Sequence, residues 1–178
     1  EWQPTLAETS TTDAYWEDTS TIEYTNMVRS VNTNKGFYLS RYEASQGTNN
    51  IAKSKRGVLP WTGIPQNDST ATTDAIRASS ANNIANTHLL YGIEWDSVLN
   101  WLIGHAIIGS STSGQTKTME SSDIASSKSW GNYTNATGNA AANSGTKRSG
   151  AYNEYWKAHN IYDLAGNVYE WTQEKYSK

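Results

Sequence analysis

The sequence predicts an α+β fold, and three observations carry the prediction. Residues 36–43 and 168–172 alternate in polarity and size like short strands. Trp95, Val98, Leu99 and Leu102 recur at i, i+3, i+4 and i+7, the spacing of one helix face. The chain has 178 residues. That is enough for one hydrophobic core burying roughly 70% of the unfolded surface.

The elements follow in order. Residues 1–20 are polar, with Trp2, Tyr15 and Trp16 as anchors. They read as the start of a lead-in over 1–35 that docks on a domain spanning 36–178. The stretch from Ile22 to Val31 fits either a short helix or a strand. In 36–43, Phe37, Leu39 and Arg41 face one way and Tyr38, Ser40 and Tyr42 the other. Residues 45–70 form a long connection punctuated by Gly47, Gly57, Pro60, Gly63 and Pro65. Lys53, Lys55 and Arg56 within it read as a solvated loop. Thr73 and Asp74 can cap a helix running to about Asn86, with Ala75, Ile76, Ile84 and Ala85 as its stripe. In the next helix Trp101 widens the apolar face. Asp96 and Asn100 face solvent, and Glu94 faces solvent or bonds backbone N–H groups inside the fold.

Residues 109–150 are rich in Ser, Thr, Asn, Gly and Ala and read as a long loop, a kind of segment that is often functional. Trp130-Gly-Asn-Tyr133 is its one island able to pack on a core. Asn67, Asn132 and Asn135 each begin an N-glycosylation sequon. Tyr152, Tyr155 and Trp156 lead into 160–172. There, Asp163-Leu-Ala-Gly-Asn167 is turn chemistry, since Asp and Asn bond the local backbone and Gly166 tolerates positive φ. Beyond the turn, Val168, Glu170 and Thr172 alternate with Tyr169 and Trp171.

Such a turn can aim several carbonyls at one point, and Asp163 and Glu170 can add carboxylates. Clustered hard oxygens suit Ca²⁺. The same residues also fit a metal-free hairpin turn with Glu170 bonded to backbone N–H groups.

Composition narrows the function classes. Fourteen basic against 17 acidic residues give a net charge of −3, no basis for nucleic-acid or anionic-membrane binding. No apolar run is long enough to span a membrane. The absence of Cys excludes disulfides and thiolate metal sites. Eight Trp and 11 Tyr stand against one Phe, and amphipathic aromatics suit both cores and binding surfaces. A start at Glu1 with neither Met nor a signal sequence suggests a mature or excised piece.

Gly166-Asn-Val-Tyr-Glu-Trp171 resembles the Gly-Asn-(Val/Ala)-(Trp/Tyr)-Glu-Trp motif of the formylglycine-generating-enzyme/sulfatase-modifying family. Gly36-Phe-Tyr-Leu-Ser-Arg-Tyr-Glu43 resembles that family's early strand. Leu90-Tyr-Gly-Ile-Glu-Trp-Asp-Ser-Val98 is similar to its Arg-Leu-Pro-Thr-Glu-Ala-Glu-Trp-Glu segment. The resemblance implies a C-type lectin-like fold, two helices on small antiparallel sheets with long loops. It also implies a structural calcium held by Asp163, the carbonyls of Gly166 and Val168, and Glu170, with Asp163 standing where Asn is commoner. A second cation near Asn132 is a looser implication. Family members continue past this point with an Arg-Gly-Gly-Ser-like segment and further strands. The expectation is therefore that the rest of the same precursor, or a second chain, completes the sheet.

Formylglycine-generating enzymes use paired Cys to bind copper, and this sequence has none. Relatives that oxidise sulfur compounds use a His-rich iron site, whereas His88, His105 and His159 are scattered and read as lone residues. The expected function is non-enzymatic: a scaffold on a phage, virion or bacterial surface, outside the cell. It would present a binding face to protein or glycan receptors. The diversity-generating retroelement variable proteins are the branch of the family that does this, with diversified residues after the final motif. The alternatives are an enzyme or enzyme remnant of the family, and a carbohydrate-binding adhesin module.

Overall fold

The structure is a computed structural model that describes residues 22–64, 88–110 and 114–172. The expected helix at 73–86, the lead-in over 1–20 and the Asn67 sequon lie outside the described residues. The fold is α+β. Among the described residues, no helix is long and apolar enough to cross a membrane.

The ambiguous stretch after residue 21 is helical: α1 spans Ile22–Asn34. It ends as helices commonly do, with a left-handed residue. Lys35 takes φ +62°, and the Gly36 N–H reaches back to the Val31 carbonyl at 3.1 Å. Met27 and Val31 are buried against Tyr91 and Ile93, a small core cluster that Phe37 borders. The strand expected at 36–43 does not form: residues 37–43 join no ladder and the chain bends at Arg41 and Tyr42. The first strand lies beyond it, β1 at Ala44–Gln46, paired antiparallel with β2, Ala52–Ser54. The predicted alternation holds for Phe37 and Leu39, which pack on the core, and for exposed Tyr38. It slips at the end of the stretch, where Arg41 is exposed and Tyr42 stacks on Tyr162 at 5.5 Å.

Helix α2 spans Gly92–Leu102. Its start is closed by Glu94, whose Oε2 accepts the Tyr91 N–H at 3.0 Å. Ile93, Val98 and Leu102 are buried and Trp95 and Leu99 pack against the core. Asp96 and Asn100 are exposed as expected. Trp101 is not part of the buried face: it is 49% exposed, while adjacent Leu102 is fully buried. One hundred degrees of helical rotation separates the two side chains.

The 109–150 segment is more ordered than its composition suggests. It contains the end of β3 (Ile107–Ser110), β4 (Gln115–Thr118), helix α3 (Ser121–Ala125) and two 3₁₀ turns at Ser127–Ser129 and Gly138–Ala141. With β5 (Lys157–Ala158) and β6 (Ile161–Tyr162), β3 and β4 form an antiparallel sheet of order β4-β3-β5-β6. In register, Ile108 faces Ala158 and Ala158 faces Ile161. The main core gathers Val98, Leu102, Ala106, Ile108, Met119, Trp130, Ala158, Leu164 and Ala165. Trp130 anchors the long segment as expected, and its indole N–H donates to the Asp123 carbonyl at 2.9 Å. Trp156 is fully buried and donates to the Ala140 carbonyl at 2.8 Å. Each large ring is thus buried with its polar atom bonded, so burial leaves no unsatisfied donor.

A turn-built candidate metal centre

The turn at 163–167 joins the main core through Leu164 and Ala165 and is bonded to Asn132 and Arg148 of the long segment and to Glu43, just before β1. Three residues in it have positive φ: Asp163 at 60°, Gly166 at 80° and Asn167 at 64°. Gly166 is required on two counts. Its φ disfavours any side chain, and a Cβ there would collide with the Asn132 carbonyl. The turn is locked to Asn132 by a parallel bridge: the Asn132 N–H donates to the Ala165 carbonyl at 2.9 Å and the Asn167 N–H to the Asn132 carbonyl at 3.0 Å.

Asn167 is the hub. Its Oδ1 accepts from Asn132 Nδ2 at 3.0 Å and from the Arg148 N–H at 2.8 Å. Its Nδ2 donates to Glu43 Oε2 at 2.6 Å and to the Arg148 carbonyl at 3.2 Å. Asn132 extends the network, accepting from the Gly145 N–H at 2.8 Å and donating to the Thr146 carbonyl at 3.0 Å. Two amide side chains therefore tie together segments more than a hundred residues apart in sequence. The Asn132 side-chain oxygen accepts one hydrogen bond, from Gly145, among the described residues.

Asp163 is fully buried. Its Oδ2 accepts the Ala151 N–H at 2.9 Å, and its Oδ1 has no partner among the described residues. Glu43 Oε1 is likewise buried and unpartnered. Burial raises the Asp163 pKa to about 6, opposed by the Ala151 bond. For Glu43, burial raises the pKa to about 8, opposed by the Asn167 bond and reinforced by the charges of Asp163 and Glu170. For Glu170, desolvation and then the Asp163 charge raise the pKa to about 8. The Glu170 residue as a whole is open to solvent. Screening there makes its shift weigh less than those of enclosed Asp163 and Glu43.

Of the sequence-predicted ligands, the structure puts Asp163 and Glu170 within electrostatic reach of each other. The Gly166 carbonyl accepts the Val168 N–H at 2.9 Å, which leaves that oxygen a second lone pair. The strand expected at 168–172 joins no ladder among the described residues. Sequence reasoning missed Glu43 and Asn167 as site residues. The signal for Glu43 was an acid closing a stretch whose alternate side chains pack inward.

The donor set is all oxygen, and an orphaned buried carboxylate oxygen is the observation that fits a hard cation there. Among the described residues, no three His, Asp or Glu side chains converge closely enough to hold a metal by themselves. A bound ion would therefore draw on backbone carbonyls as well as acids.

The three histidines divide. His88 Nε2–H donates to buried Glu94 at 2.8 Å. His105 and His159, expected to stand alone, both meet the Trp101 indole at centroid distances of 5.7 Å. Lys53, Lys55 and Arg56 are exposed, and Arg56 reaches Glu154 at 3.3 Å. Of the sequon residues, Asn132 is buried and Asn135 exposed. In comparisons with protein-family models, curated proteins and solved structures, nothing matches this chain.

Proposed function

We propose that the chain is a non-enzymatic scaffold that presents a binding face to protein or glycan receptors on a cell surface, working outside the cell on a phage, virion or bacterial surface. The observation that carries this reading is the contrast at the turn. Asn167 and Asn132 lock four segments into one hydrogen-bonded base, while Tyr169 and Trp171, immediately beyond, stay exposed at 103% and 55%. Rigid frames carrying exposed amphipathic aromatics suit recognition, because little side-chain freedom is lost on binding. The motif resemblance supports the same reading. In the diversity-generating retroelement branch, the diversified residues follow the segment matched at Gly166–Trp171.

Calcium belongs to this proposal as a structural ion. Asp163, Glu170 and the carbonyls of Gly166 and Val168 would hold it. Its charge would relieve the repulsion among Asp163, Glu170 and nearby Glu43.

The test is labelling of intact cells. Fluorescent chain is applied to a panel of bacterial and animal cells, beside a Tyr169→Ala/Trp171→Ala variant that retains its melting temperature. Saturable labelling that the double variant weakens by about tenfold or more is expected. Labelling of no surface in the panel would sink the proposal.

A further inference from the structure

We propose that Trp101, His105 and His159 form a carbohydrate-binding platform at the end of α2. The proposal rests on the receptor-binding reading and names a ligand class for one face.

The first argument is position. Trp101 stands in the last turn of α2 with half its surface in water, although Val98 and Leu102 already supply that turn's core packing. A lone exposed Trp is unremarkable, but this one is part of a built arrangement. The His105 imidazole lies parallel to the indole, at 5° between ring planes. Its Nδ1–H donates to the Trp101 carbonyl at 2.8 Å, which sets the ring's orientation and leaves Nε2 as the acceptor in the neutral form. His159 meets the indole edge-on, at 86°.

The second argument is the backbone beneath His159. It occupies the turn between β5 and β6 at φ +57°, where glycine is the easier residue. Its N–H is fixed to the Ile107 carbonyl at 2.9 Å, and exposed Ile107 extends the apolar surface. The two histidines come from parts of the chain 54 residues apart, and the fold brings both to one indole.

The third argument is chemistry. A pyranose has an apolar C–H face and a rim of neutral hydroxyls. An indole face stacks on the first, and imidazole nitrogens bond the second, with exposed Asn160 next to His159.

The experiment is a printed array of neutral and sialylated oligosaccharides, probed with the chain, Trp101→Ala and His159→Ala. Melting temperature and near-ultraviolet circular dichroism establish that each variant folds. The expected result is binding to at least one glycan, weakened about tenfold in Trp101→Ala and measurably in His159→Ala. If Trp101→Ala does not fold, His159→Ala decides. Equal glycan binding by the folded variants overturns the platform. No glycan bound, with cell labelling that protease treatment abolishes, overturns it while the receptor-binding reading stands. Neither glycans nor cells bound would overturn both.

Discussion

At the scale of single residues, the centre of the molecule is an electrostatic conflict. Burial raises the pKa of Glu43 and Asp163, and that of the more exposed Glu170 is raised as well, with the Asp163 charge adding to both glutamates. An acid whose pKa is higher in the folded than in the unfolded state supports folding while protonated. That support is complete below the unfolded value near 4.5 and is lost as pH rises through the folded value near 8. In chelator, thermal unfolding should therefore show stability falling between about pH 5 and pH 8.5, and Glu43→Gln should flatten the fall. A Glu43→Gln profile parallel to the parent would show that this carboxyl is not the source. Calcium should act in the opposite sense by binding the ionised form. At a concentration of about 100 times Kd it would add roughly 2.7 kcal/mol, or several degrees of Tm at this size. Glu170→Ala should lose most of that gain, and an unchanged chelator response in the variant would remove Glu170 from the site.

At the scale of elements, α2 shows how position on one helix separates two large apolar neighbours. Leu102 is fully buried in the main core and Trp101 is half exposed beside it. Leu102→Ala should cost about 2–5 kcal/mol in denaturant unfolding, because it deletes packed methyl groups and leaves a cavity. Trp101→Ala should cost less than about 1 kcal/mol. A reversal of that order would mean that the indole, and not the leucine, is the packing residue. The helix was legible in sequence because i, i+3, i+4, i+7 spacing is a local property of the chain. That Trp101 lies outside the buried face was not legible, since sequence spacing cannot say how wide a face the opposing core covers. The same limit explains 36–43. Its alternation was visible, but a strand needs a partner, and the partner Ala52–Ser54 faces β1 rather than the residues before it.

At the scale of the whole molecule, order in the 109–150 segment depends on contacts its own composition does not reveal. Trp130 joins the main core and Trp156 is fully buried, and the side-chain amides of Asn132 and Asn167 hold the backbone of residues 145–148. Asn167→Asp replaces a donor to Glu43 with a second acceptor. Above about pH 8, where Glu43 is ionised, it should destabilise the fold by about 3 kcal/mol, since it breaks a buried bond and sets two carboxylates together. Hydrogen exchange at Gly145 and Arg148 should accelerate well beyond that at core positions such as Ala106. Uniform acceleration across the chain would mean that the hub has no local role.

The sequence by itself determined the α+β class, the helix carrying Trp95 to Leu102, the turn chemistry at 163–167 and the inward packing of Trp130. These follow from periodicity, from the conformational freedom of Gly166 and from the need of large aromatics for burial, all written within a few residues of chain. Only the tertiary structure decided that Glu43 joins Asp163 and Glu170, that Asn167 bonds three distant segments, and that two histidines meet on Trp101. Those groupings are set by distance in space between residues far apart in sequence, and burial and mutual charge acquire their size only once the chain has closed around them.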